Sequence, residues 1–102
     1  MNREKGYNLL GLGFRSRRVQ IGTANIENKI KKGSGRLLLI ARDAGESNKR
    51  KLKGLCRAND IAVMEWGKKE KLSRIFPRTT SAVLILDPNL AKPFFEEREG
   101  LE

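Results

Sequence analysis

Apolar residues recur along the chain at two spacings, and each spacing predicts a different element. Over residues 4–16, Tyr7, Leu10 and Phe14 stand three and four apart with Leu9 and Leu12 beside them, which predicts a helix. Gly11 and Gly13 fall inside it; each costs ~1 kcal/mol relative to alanine or else permits close packing. Val19 to Ile21 is a short strand that Gly22 breaks. Thr23 can cap a helix running to about Lys32, with Ile26 and Ile30 as its buried side. Glu27 early and Lys31 and Lys32 late suit the helix dipole, and Gly33-Ser34-Gly35 stops the helix.

Leu37 to Ala41 is an unbroken apolar run, as expected of a strand covered on both faces. A polar loop from Asp43 to Ser47 leads into a helix over 47–59 with Leu52, Leu55 and Cys56 inward. Ile61 to Trp66 is a third strand, Lys68 to Phe76 a short helix, Pro77 to Thr80 a loop, and Ala82 to Leu86 the last strand. Pro88 can start a final short helix that Pro93 should interrupt, and the acidic tail 96–102 should fray. Strands and helices thus alternate throughout, which predicts an α/β fold with helices on both faces of a largely parallel or mixed sheet. At 102 residues the chain has room for a single domain, residues 1–102 with a core of about 4–95.

Charge changes the picture more than composition does. Twenty-two Lys and Arg against twelve Asp and Glu give +10, so RNA, DNA or an anionic membrane becomes the leading class of partner. No apolar run approaches the ~20 residues that span a bilayer, and no signal peptide follows the first basic residues. A lone Cys56 allows no internal disulfide and fits a cytoplasmic setting. With no histidine and one cysteine, the usual general base and a structural zinc site are both missing. No enzyme of a familiar type, no cofactor and no metal site is expected.

Three basic stretches stand out: Arg15, Arg17 and Arg18; Lys29, Lys31 and Lys32; and Lys49, Arg50, Lys51, Lys53 and Arg57. Any one of them suits a solvated helix face, whereas three in one small domain favour RNA. Such contacts position a nucleic acid without reading its sequence. The glycines of Gly11-Leu12-Gly13 and Gly33-Ser34-Gly35 match neither a dinucleotide nor a phosphate loop and read as packing or turn residues. Gly22-Thr23-Ala24-Asn25 carries more, because it puts a glycine turn and a helix N-terminus just after a strand, where N–H groups suit a phosphate or a base edge. Asn25, Asn28, Lys29 and Lys32 repeat on the face opposite Ile26 and Ile30, so that amides could read bases there; ordinary capping explains the same residues.

The segments YNLLGLGFRSRRV, GTANIENKIKKG, LLLIARDAGESNKRK, KEKLSRI and AVLIL, in this order and spacing, resemble the kink-turn RNA-binding ribosomal-protein superfamily (the L-seven-Ae, L-thirty-e, S-twelve-e and Gadd type), especially its short bacterial members. The resemblance runs from about Tyr7 to Phe94. It implies a three-layer α/β/α sandwich with a small mixed sheet, and an RNA groove entered by the start of the second helix. On this chain that surface is Gly22, Thr23, Ala24, Asn25 and Asn28 with Lys29 and Lys32, flanked by Arg17, Arg18, Arg42 and the loop Arg78, Thr79 and Thr80. Strong kink-turn binders carry Asn-Glu where this chain has Ala24-Asn25, and Lys where it has Asn28. The implied function is non-enzymatic binding of structured RNA, ribosomal RNA foremost, with ribosomal proteins as further partners and no membrane. The alternative is a protein-interaction module on the same fold that has lost specific RNA binding.

Overall fold

The computed structural model describes residues 1–100, with side chains through Glu97. In chain order the elements are α1 (Arg3–Arg15), β1 (Val19–Gln20), α2 (Thr23–Lys31), β2 (Leu37–Ile40), α3 (Glu46–Ala58), β3 (Ala62–Glu65), α4 (Lys69–Ile75), β4 (Ala82–Ile85) and α5 (Pro88–Gly100). The strands form one sheet in the order β1-β4-β2-β3. β4 runs antiparallel to both its neighbours, β1 and β2, while β2 and β3 are parallel. The sheet is therefore mixed, with β4 the reversed strand.

β2 and β4 hold the centre and are buried at every position. A strand can dispense with polar alternation only when both faces are covered. Here α2 and α3 pack together on one side, and α1 packs with α4 and α5 on the other. That is the three-layer α/β/α sandwich. Leu10, Ile26, Ile30, Leu52, Leu72 and Phe94 enter the core from five different helices and are fully enclosed, each burial contributing about 1.5–3 kcal/mol. Cys56 is enclosed with them, and burial pushes its thiol up to about 11; it acts as a small core residue. Leu55, expected inward, is half-buried.

The glycines of α1 are contact residues. A methyl group on Gly11 would lie 3.2 Å from Ile75 and one on Gly13 2.5 Å from Leu90, while Gly6 lies against Trp66. Close approach of α1 to α4 and α5 outweighs their low helix propensity. Around them Tyr7, Trp66 and Phe94 pack in series, the first pair tilted and the second edge to face, with ring centroids 4.7 and 5.3 Å apart.

The C-terminal expectation is corrected. Pro93 does not interrupt α5, which continues to Gly100. Leu90, Ala91 and Phe94 are buried on both sides of the proline and hold the helix against the sheet. Within α5, Glu97 accepts a hydrogen bond from the Trp66 indole at 3.3 Å; of the tail expected to fray, residues 101–102 lie outside the described residues. Among the described residues, no helix is long and apolar enough to cross a membrane.

Candidate nucleic-acid interface

The register of the sheet decides which loops meet. Gln20 lies opposite Leu84, and Ile40 lies opposite both Ala82 and Glu65. β1, β2 and β3 therefore point one way, and β4 starts where they finish. Gly22, the Ala41–Asp43 corner, the Trp66–Lys68 turn and the Arg78–Ser81 loop all collect at that end. α2, α3 and α4 also begin there, so their N–H-rich ends face the same side.

Gly22 is the pivot. Its φ of 89° and ψ of 123° turn the chain from β1 into α2, a conformation that side chains rarely adopt. Its carbonyl accepts the first helical bond, from Ile26 N–H at 2.8 Å, and no side chain caps the helix. A methyl group on Gly22 would lie 3.3 Å from the Arg78 guanidinium and 3.3 Å from the Asn25 amide nitrogen. Two residues far apart in sequence thus converge over the start of α2. Thr80 holds the Arg78 loop in place: its N–H donates to Ser73 Oγ at 2.8 Å and its hydroxyl donates to the Arg78 carbonyl at 2.8 Å.

The corner after β2 is fastened from beneath. Lys49, 8% exposed, donates to the Arg42 carbonyl at 2.6 Å and to Glu65 Oε1 at 3.0 Å. Lys53 reaches the other oxygen of Glu65 at 2.8 Å. Hydrogen bonds from Lys53 and Lys49 hold the Glu65 carboxyl down at about 2, and the bond to Glu65 raises Lys49 above its usual value. Asp43 accepts the Lys69 N–H at 2.9 Å, which lowers its carboxyl below the usual range. The start of α4 therefore already holds an anionic group, whereas α2 and α3 open on glycines, Gly22 and Gly45, without a side-chain cap.

The expected site residues separate into three groups. Gly22, Thr23, Ala24, Asn25, Arg42, Arg78 and Thr79 come together at this end, all but half-buried Gly22 exposed. Asn28 and Lys29 lie further along α2, Asn28 exposed and Lys29 half-buried. The remaining four lie elsewhere. Thr80 is 3% exposed and serves the loop from inside, because its two hydrogen bonds turn it inward. Arg17, Arg18 and Lys32 do not flank the start of α2. They lie before β1 and after α2, hence at the opposite end of the sheet, and Arg18 pairs with Asp87 at 3.3 Å. The third basic stretch is partly neutralised within the protein, since Lys49 and Lys53 pair with Glu65 and Lys51 pairs with Glu27 at 2.8 Å. Sequence reasoning passed over Lys68 and Lys69, which are exposed beside the Arg42 corner. A lysine pair directly after a strand-ending glycine was the available signal.

Known proteins share this arrangement over nearly the whole chain. The RNA-binding protein YlxQ of Enterococcus faecium is 25% identical over 99 residues, 97% of this chain and 96% of that one. A Bacillus halodurans protein described as of unknown function superposes with a TM-score of 0.82 at 25% identity, covering 90% of this chain and 94% of that chain. A Giardia lamblia 15.5kD RNA-binding protein superposes with a TM-score of 0.75 at 20% identity, covering 94% and 86%; at that identity the likeness speaks for the fold alone. The model of the ribosomal protein L7Ae/L30e/S12e/Gadd45 family matches residues 4–94. Since that match takes in all four strands and every loop gathered around Gly22, this chain belongs to the ribosomal protein L7Ae/L30e/S12e/Gadd45 family.

Proposed function

We propose that this protein binds structured RNA, kink-turn-like or other ribosomal RNA, through the N-terminal half of α2 and the loop before β4, without making or breaking a bond. The observation that carries the reading is the convergence of the Asn25 amide and the Arg78 guanidinium over Gly22, beside the uncapped start of α2. The amide can address a base edge, the guanidinium a base or phosphate in two-point fashion, and the helix N–H groups a phosphate. The formal charge of +10 adds the long-range attraction. The similar YlxQ of Enterococcus faecium is described as RNA-binding. A cytoplasmic location and ribosomal proteins as further partners belong to the same reading.

Asn25→Ala and Arg78→Gln are the test, each measured on a kinked RNA and on an unstructured RNA at one salt concentration. A base-reading Asn25 costs ~1–3 kcal/mol on the preferred RNA and much less on the other. Equal losses on both would mean that Asn25 reads nothing. One observation favours a second reading: Ala24 offers no side-chain donor and Asn28 no charge on the exposed face of α2. If neither variant alters binding to any RNA, that face is not the RNA surface, and the reading as a protein-interaction module moves ahead.

A further inference from the structure

The end of the sheet away from Gly22 has its own construction. α1, α2 and α3 all finish there, and each is closed by the same pair of backbone bonds. Arg17 N–H donates to the Phe14 carbonyl and Arg18 N–H to Gly13; Gly33 donates to Ile30 and Ser34 to Lys29; Asp60 donates to Arg57 and Ile61 to Cys56. The turning residue has φ of 61° at Arg17, 75° at Gly33 and 55° at Asp60. Glycine is the usual occupant of such a position, yet α1 keeps an arginine. Arg18 and Arg36 then lie on either side of the end of β4, Leu86 N–H donating to the Arg18 carbonyl and Arg36 N–H to the Ile85 carbonyl, both at 2.8 Å.

The cations at this end are Arg15, Arg17, Arg18, Lys31, Lys32, Arg36 and Arg57, all exposed. Asp87 pairs with Arg18; among the described residues no carboxylate pairs with the other six. Attraction to helix C-termini accounts for Arg15, Lys31 and Arg57, which lie in last turns, and for Lys32 at the end of α2. It does not account for Arg36, which precedes a strand, or for an arginine at the left-handed position where glycine fits better.

We propose that this end is a second phosphate-binding surface, centred on Arg17, Lys32 and Arg36, so that one molecule holds two RNA segments at once. The proposal rests on the RNA reading above, and its test separates the two. A kinked RNA is immobilised, loaded with protein and washed, and a labelled RNA hairpin without an internal loop is then added. Wild type should capture the hairpin. Combined Arg17→Gln, Lys32→Gln and Arg36→Gln should bind the immobilised RNA within about threefold of wild type yet capture at least about tenfold less hairpin, because only the second set of phosphate contacts is removed. Arg17→Gly alone should raise the melting temperature while lowering capture, a combination that a purely structural arginine would not produce. The proposal is overturned if wild type binds the first RNA but captures no hairpin. It is overturned equally if the triple variant captures as well as wild type, since the bridge would then be made by a second copy. Failure of wild type to bind the immobilised RNA at all would remove the RNA reading and this inference with it.

Discussion

Gly22→Ala is the sharpest perturbation of the candidate interface. At φ 89° and ψ 123° the backbone lies outside the regions open to alanine, and holding a side chain there costs roughly 1–3 kcal/mol. The turn cannot relax, because Ile21 and Ile26 on either side are 2% and 1% exposed and the Ile26 N–H bond fixes the Gly22 carbonyl. The new methyl group would meet the Arg78 guanidinium and the Asn25 amide at 3.3 Å. Both are ends of flexible side chains and can withdraw by a few tenths of an ångström, so strain is the larger effect on stability and displacement the larger effect on binding. For a chain of this size, 1–3 kcal/mol lowers the melting temperature by roughly 4–20 °C. Urea unfolding followed by the fluorescence of Trp66, 3% exposed, measures the loss. Gly54→Ala is the control: Gly54 lies within α3 with open space around a Cβ, so the same substitution should stabilise by up to ~1 kcal/mol. RNA affinity, measured where both variants are folded, should fall for Gly22→Ala and stay unchanged for Gly54→Ala. A Gly22→Ala protein within about 0.5 kcal/mol of wild type would refute the strain argument.

The Glu65 carboxyl, held at about 2 against an ordinary 4.5, stabilises the fold above pH 4.5, and that contribution is lost as pH falls toward 2. Glu65→Gln should therefore lower stability at neutral pH and converge with wild type near pH 2; parallel curves across that window would show that the lysine pair is not the cause. Pro93→Ala should raise stability by ~1–2 kcal/mol, since it returns an N–H to the interior of α5. A lower urea midpoint for that variant would mean that the packing of the half-buried ring outweighs the missing bond.

Much of the fold was legible because it rests on local patterns. Ile26 and Ile30 at helical spacing, and the unbroken apolar runs Leu37 to Ala41 and Ala82 to Leu86, report their own burial, with Leu86 alone half-buried. The glycine turn before α2 was legible too, since a glycine between a strand and a helical run marks a turn, but Gly22 and not the expected Thr23 takes the capping position. Pro93 misled because its local cost is real, while the burial of Leu90, Ala91 and Phe94 that outweighs it is a property of the assembled sandwich. Lys49 read as one more cation in a solvated run. Only the arrival of Glu65, sixteen residues on, makes it a buried fastener of the Arg42 corner.

The sequence by itself determined the elements, their alternation, the basic character of the surface and the glycine turn at Gly22. These follow from side-chain spacing and backbone preference, which act within a few residues. Tertiary structure alone decided which cations share a surface. Position along the chain puts Arg17 and Arg18 close to Gly22, but β1 carries the chain from one end of the sheet to the other between them. α2 then takes Lys32 back to the first end, while Arg78, remote in sequence, returns to Gly22 at the start of β4. Charge is counted along the chain, whereas a binding surface is assembled by strand direction and register. The reversed strand β4, paired to both β1 and β2, is what brings the Arg78 loop to the beginning of α2 and leaves a second basic surface at the far end.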